Sequence, residues 1–235
     1  MSRMSVDFKG AARLILLPLT IMAFLTIGVG LLITKVLETT TIGASDQGVN
    51  EELAGSRTTF WTDITDVMSG LSDTPVIVIA TAVLVVVFRL VFKRWNESIF
   101  LVVAVWSQSI IFLLSTVLAE RKRPSVPHLD PAPPTSSFPS GHTSAAVAFY
   151  CGVALVLTVH THRYKILNVL WWVLGLGIPL SIAYSRMYRG MHHLSDVGWG
   201  FLLGVVCVAV AANALLRHPV IRERRLRTVP TAQPS

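Results

Sequence analysis

Six apolar runs divide this chain, covering about residues 13–36, 75–92, 98–119, 143–159, 166–184 and 197–216, and the segments between them are polar. A helix rises 1.5 Å per residue, so about 20 apolar residues cross a hydrocarbon layer about 30 Å thick. Each run therefore predicts a membrane-spanning helix. The fold expected is all-α, a six-transmembrane helical bundle in one domain (13–216), with a short head (1–12) and a basic tail (217–235). A signal peptide is the rival reading of the first run. The run is long for that, and no small-x-small cleavage site follows closely.

The loop over 37–73 has a weaker pattern of its own. Phe60, Trp61, Ile64, Val67, Met68 and Leu71 recur at helical spacing, with Thr62, Asp63, Thr65, Asp66 and Ser69 between them. That predicts an amphipathic interfacial helix in the first outer loop, too short and too polar to span. It either lies on the membrane surface or packs on the bundle; a sharper reading makes it a lid or guide for a lipid tail.

Composition supports the membrane reading. The chain is 52% hydrophobic and only 14% charged, where soluble domains carry about 25% charged residues. The net charge of +7 needs no nucleic acid, because basic residues of membrane proteins gather in cytoplasmic loops. The head (Arg3, Lys9), the turns 93–96 and 160–165, and the tail (Arg217, Arg222, Arg224, Arg225, Arg227) are basic, whereas 37–73 is acidic. Both termini are then expected in the cytoplasm of a plasma-membrane protein. Cys151 and Cys207 fall inside apolar runs and read as small core residues without a disulfide.

That topology leaves two exceptions. Segments 120–142 and 185–196 face outward, yet they carry Arg121, Lys122, Arg123, Arg186 and Arg189. An anionic ligand explains these better than topology does. Arg123 and Arg186 supply planar donors suited to phosphate oxygens. Ser140-Gly141-His142 stands where a proline-rich loop enters a helix, and free N–H groups there attract anions. His192 and Asp196 are four apart and share a face if the segment is helical. Asp196 would then fix the imidazole tautomer, leaving the other nitrogen to attack phosphorus. His193 is the competing choice, and spacing favours His192 only modestly. His128, His160 and His162 read as interfacial residues.

Arg123-Pro124, then Pro139-Ser140-Gly141-His142, then Ser185-Arg186-x5-His192-x3-Asp196 resemble, in that order, the type 2 phosphatidic acid phosphatase superfamily of lipid phosphate phosphatases. The resemblance covers about residues 50–215. It implies a lipid phosphate or diphosphate phosphatase of the bacterial membrane branch, working without cofactor or metal through a phosphohistidine at the outer face. Arg123, Ser140, Gly141 and Arg186 would hold the phosphate. His142 would protonate the leaving oxygen, His192 would be the nucleophile and Asp196 its orienter. The family's first motif is usually Lys-x6-Arg-Pro, and Thr116 stands at the lysine position. Lys122, Arg121 or Arg189 are candidates to restore that charge. The expected partners are a lipid phosphate substrate and membrane lipids. Alternatives are a lipid phosphotransferase and a non-catalytic lipid-binding or transport protein on the same scaffold. Vanadate-dependent oxidation is remote. Gly200-x3-Gly204 is a small-xxx-small stripe that packs within the bundle or forms a homodimer face.

Overall fold

The computed structural model describes residues 8–217. The head residue Arg3 and the tail arginines from Arg222 onward lie outside them. The described residues form nine helices: α1 (Phe8–Leu32), α2 (Thr41–Gly55), α3 (Thr59–Gly70), α4 (Thr74–Phe92), α5 (Asn96–Ala119), α6 (Gly141–Ala146), α7 (Gly152–His160), α8 (Lys165–Tyr188) and α9 (Leu194–Ala212). α6 and α7 are joined by a wider π turn, Val147–Cys151, into one span. Among the described residues, six helices are long and apolar enough to cross a membrane: Arg13–Leu37, Thr74–Phe92, Asn96–Ala119, Gly141–His160, Lys165–Tyr188 and Leu194–Leu216.

Burial sorts these six into two layers. The Gly141–His160 span is 56% buried, whereas α4 and α8 are each 17% buried. The α6–α7 span therefore lies at the centre with α5 and α9. The core joins Phe100, Leu101, Ala104 and Val105 of α5 to Ala148, Val156 and Ala211. Small residues make the approach possible. A β-carbon on Gly200 would lie 2.6 Å from the Ser140 carbonyl oxygen, and one on Gly204 would lie 2.6 Å from the Val147 side chain. The Gly200–Gly204 stripe thus packs inside the bundle, against the span that begins at Ser140. Phe24, Ile79, Leu90, Val117 and Ile166 point outward. In water such surface would be a liability, but against lipid chains it is the ordinary outer face of a bundle whose backbone is satisfied internally.

The loop over 37–73 folds as two helices, capped by Thr40 and Thr58, whose hydroxyls satisfy otherwise free N–H groups. α2 gave no clear hydrophobic pattern, and its inward residues are the polar Asp46 and Asn50. α3 is the predicted amphipathic helix, packed on the bundle by its polar face. Thr65 and Ser69 are buried, while Phe60 (67%), Trp61 (42%) and Val67 (69%) are exposed. The reason is what α3 packs on. Its inner neighbour is the polar end of α8: Arg186 donates to Ser69 Oγ at 2.6 Å and Arg189 donates to the Thr62 carbonyl at 3.1 Å. The apolar face is left for the lipid side.

Candidate active site

Residues 185–196 do not form one helix. α8 ends at Tyr188, Gly190 turns the chain at φ +76°, and α9 starts at Leu194 with His193 as its N-cap residue. His192 sits in this break, buried, with Nδ1 2.7 Å from the carbonyl oxygen of Ser137. The same nitrogen is 3.9 Å from Asp196, beyond a hydrogen bond. The predicted orienter is thus corrected: the Ser137 carbonyl, and not Asp196, holds the ring. Helical i,i+4 geometry is missing because the chain turns between the two residues. A carbonyl only accepts, so Nδ1 carries the proton and Nε2 keeps its lone pair. Burial, then the nearby Arg186, hold the His192 pKa well below its ordinary 6.5, against the opposing pull of Asp196. The ring is therefore neutral at pH 7. Asn50 of α2 fixes the loop by donating to the His192 carbonyl at 3.0 Å.

Asp196 serves the scaffold around that ring. Its carboxylate accepts from the His193 N–H at 2.8 Å and pairs with Arg121. Its backbone carbonyl accepts from the Ser140 N–H at 3.0 Å, tying the second motif to the third. Ser140 caps α6, its hydroxyl accepting from the Thr143 N–H. Gly141 is required by packing, since a β-carbon there would meet the Phe112 ring at 2.8 Å. His142 stands next, with a partly exposed side chain and Nε2 3.2 Å from Asp73 Oδ1.

The basic residues separate into two groups. Arg123 donates from Nη1 to the Met191 carbonyl at 2.7 Å, and Arg186 donates from Nη1 to Ser69 and to Asp130 at 2.7 Å. Each keeps a buried Nε that has no partner. Both act electrostatically on the His192 ring, as does His142. Arg121 also keeps an unpartnered Nε, but its Nη atoms are taken by Asp46 at 2.8 Å, Asp196 and Ser195. Arg189 is held by Asp130 and by Asp66 at 2.9 Å. Lys122 is exposed, and Thr116 bonds back to the Phe112 and Leu113 carbonyls of its own helix. Arg121 and Arg189 are thus committed to carboxylates and Thr116 to its own helix, whereas the Lys122 side chain reaches solvent. The basic charge of these segments therefore has a second explanation: carboxylates of the acidic loop, which sequence reasoning did not pair, reach across to it. Asp130 was also missed. Burial alone would raise its pKa, yet Arg189 and Arg186 hold it below the ordinary carboxylate value.

The structure thus brings His142, His192, Arg123 and Arg186 around one polar end of the bundle, with Ser140, Gly141 and Asp196 building the frame. A family model for the PAP2 superfamily matches residues 97–218, more than half of the chain, and the chain belongs to that superfamily. Phosphatidylglycerophosphatase B of Bacillus subtilis (strain 168) is 24% identical over 181 residues, 75% of this chain and 86% of that protein. An undecaprenyl-diphosphatase of Sulfolobus acidocaldarius is 38% identical over 77 residues, so the match spans about a third (32%) of that relative's length. Among solved structures, a transmembrane PAP2-type phosphatidylglycerolphosphate phosphatase from Bacillus subtilis aligns with a TM-score of 0.70 at 16% identity, covering 91% of this chain and 97% of that one. LpxE of Aquifex aeolicus aligns with a TM-score of 0.55 at 22% identity, covering 71% and 93%. These structural likenesses bear on the fold.

Proposed function

We propose that this protein is a phosphatase of membrane lipid phosphates, acting through a phosphohistidine on His192. The observation that carries this reading is a buried, neutral imidazole whose Nδ1–H is held by the Ser137 carbonyl, beside two arginines with unpartnered buried Nε atoms. An unpaired buried donor is costly, and a phosphate oxygen would satisfy it. The relatives' names support the substrate class: a phosphatidylglycerol phosphate and a polyprenyl diphosphate.

In the first step Nε2 of His192 attacks phosphorus, and the P–O bond to the lipid breaks. His142 gives a proton to the departing oxygen. In the second step His142 takes a proton from water, the hydroxide attacks phosphorus, and the P–N bond breaks to release inorganic phosphate. Arg123 and Arg186 stabilise charge on the equatorial oxygens, each contributing roughly 3–4 kcal/mol to the barrier. Positive-inside charge supports both termini in the cytoplasm and the site at the outer face, where a headgroup would reach it while the tail stays in the bilayer. The proposed mechanism uses no metal.

The test is phosphate release from purified protein given phosphatidylglycerol phosphate, polyprenyl diphosphate, phosphatidic acid and diacylglycerol pyrophosphate, with and without chelator. Release that survives chelator and is lost in His192→Ala is the expected result. Transfer of the phosphoryl group to an acceptor lipid, without free phosphate, would make the protein a phosphotransferase. Turnover that persists in His192→Ala, or that stops with chelator, would overturn the mechanism.

A further inference from the structure

The residue that faces His142 is Asp73, which precedes the segment 97–218 matched by the family model. Asp73 is the N-cap residue of α4, and aspartate is a favoured cap because its carboxylate accepts from the first free N–H groups. Here it makes no side-chain cap bond. It forgoes an interaction worth about 1 kcal/mol and turns to the imidazole, with Oδ1 3.2 Å from Nε2. The corner that carries it is pinned on both sides. Tyr150 Oη donates to the Leu71 carbonyl at 2.9 Å, and Arg186 donates to Ser69 at 2.6 Å. The corner is thus fastened to the two helices that bear His142 and Arg186.

We infer that Asp73 is the positioning residue of the proton donor: it holds His142 Nε2–H, so that Nδ1 is the atom that exchanges protons with the leaving oxygen and then with water. The inference rests on the reading of His142 and His192 given above. The proton on Nδ1 goes to the lipid oxygen as the P–O bond breaks, and a water proton restores it as phosphate is released. The positive imidazolium has Asp73 as its direct partner, with Asp130 in the proline-rich loop as a second carboxylate nearby. Arg186 on α8 and the His192 ring face it from the other elements. An aspartate bonded to one nitrogen of a catalytic imidazole orients it and stabilises its charged form without accepting the proton.

The readout that separates this from a purely structural role is leaving-group dependence. Two amphiphiles with the same tail serve as substrates, dodecyl phosphate and a dodecyl-bearing nitrophenyl phosphate, and kcat/KM is measured because it reports the first transfer step. An alkoxide needs the proton, whereas a nitrophenolate departs without it. Asp73→Asn should lower kcat/KM about 100-fold on the alkyl phosphate and less than about threefold on the aryl one. Asp73→Glu should recover part of the loss, and Asp73→Asn added to His142→Ala should cost nothing more. Equal losses on both substrates, or no loss on either, would overturn the assignment. If His192→Ala also left turnover intact, the underlying mechanism would fall with it; if His192→Ala were inactive, only the role of Asp73 would fall.

Discussion

The Gly141–His160 span carries a histidine near each end, and each faces a carboxylate. At one end His142 lies 3.2 Å from Asp73; at the other His160 lies 3.1 Å from Glu97. The surroundings then diverge. His160 is stacked on Phe92 at 3.8 Å, and Glu97 is also bonded by Arg94 Nε at 2.7 Å. Among the charged side chains of the described residues, the buried atom left without a partner at that end is an acceptor, Glu97 Oε2, whereas those left at the His142 end are donors, the Nε atoms of Arg121, Arg123 and Arg186. A leftover acceptor repels an anion, and leftover donors attract one. A histidine–carboxylate pair in a membrane bundle is thus ambiguous by itself. The sign of what remains unsatisfied around it tells a fastening from a phosphate site.

The largest effect expected from a change at the donor-rich end is in Arg186. Arg186→Ala removes donors aimed at the phosphate and leaves Asp130 with only Arg189. Phosphate release should fall by about 10²–10³-fold, while the protein still folds in detergent. A loss under tenfold would put the anion site elsewhere. Next is the fastening of the same end. Asp46→Ala strips one carboxylate from the buried Arg121, whose other partners are Asp196 and Ser195. Breaking a buried pair costs about 3–5 kcal/mol, which should appear as a lowered Tm. An unchanged melt would show that α2 is not needed to hold the site.

A smaller effect is expected in the pH profile. His192 attacks only when neutral, and burial holds its pKa well below 6.5. Neutral ring therefore persists as pH falls through 6.5, and protonation removes activity only below that. After correction for ionisation of the phosphate ester (about pH 6), kcat/KM on the dodecyl-bearing nitrophenyl phosphate, which departs without a proton from His142, should stay level from pH 7.5 past 6.5 before declining. An enzyme limb at or above 6.5 would contradict a desolvated nucleophile. The smallest effect is predicted at the opposite end. His160→Gln should leave phosphate release unchanged and lower stability by about 1 kcal/mol. A marked loss of turnover would erase the contrast between the two ends.

The spans and motif residues were legible because they depend on local periodicity. An apolar run of about 20 residues predicts a span whatever its neighbours, and the chemistry of His142, His192, Arg123 and Arg186 can be read from residue type. The misreadings share a physical cause in tertiary partners. The group that holds His192 is the main-chain carbonyl of Ser137, a feature every residue has and no pattern can name. Asp46 meets Arg121 across 75 positions, and Asp130 meets Arg186 across 56. The one available signal was charge complementarity between the acidic loop and the basic motifs. α3 was found at the predicted place, and its apolar face is the outward one because beside a bilayer that face is turned to lipid. The packing need at Gly141, whose lack of a β-carbon makes room for Phe112, was likewise invisible in the sequence.

The central claim is that phosphorus becomes bonded to His192. The most direct test is rapid quenching of the enzyme with a phosphorus-labelled lipid phosphate, followed by peptide mapping under alkaline conditions that preserve phosphohistidine. The account predicts acid-labile label on the peptide containing His192, attached at Nε2 and missing in His192→Ala. Label on His193, on another residue, or nowhere during steady turnover would contradict it.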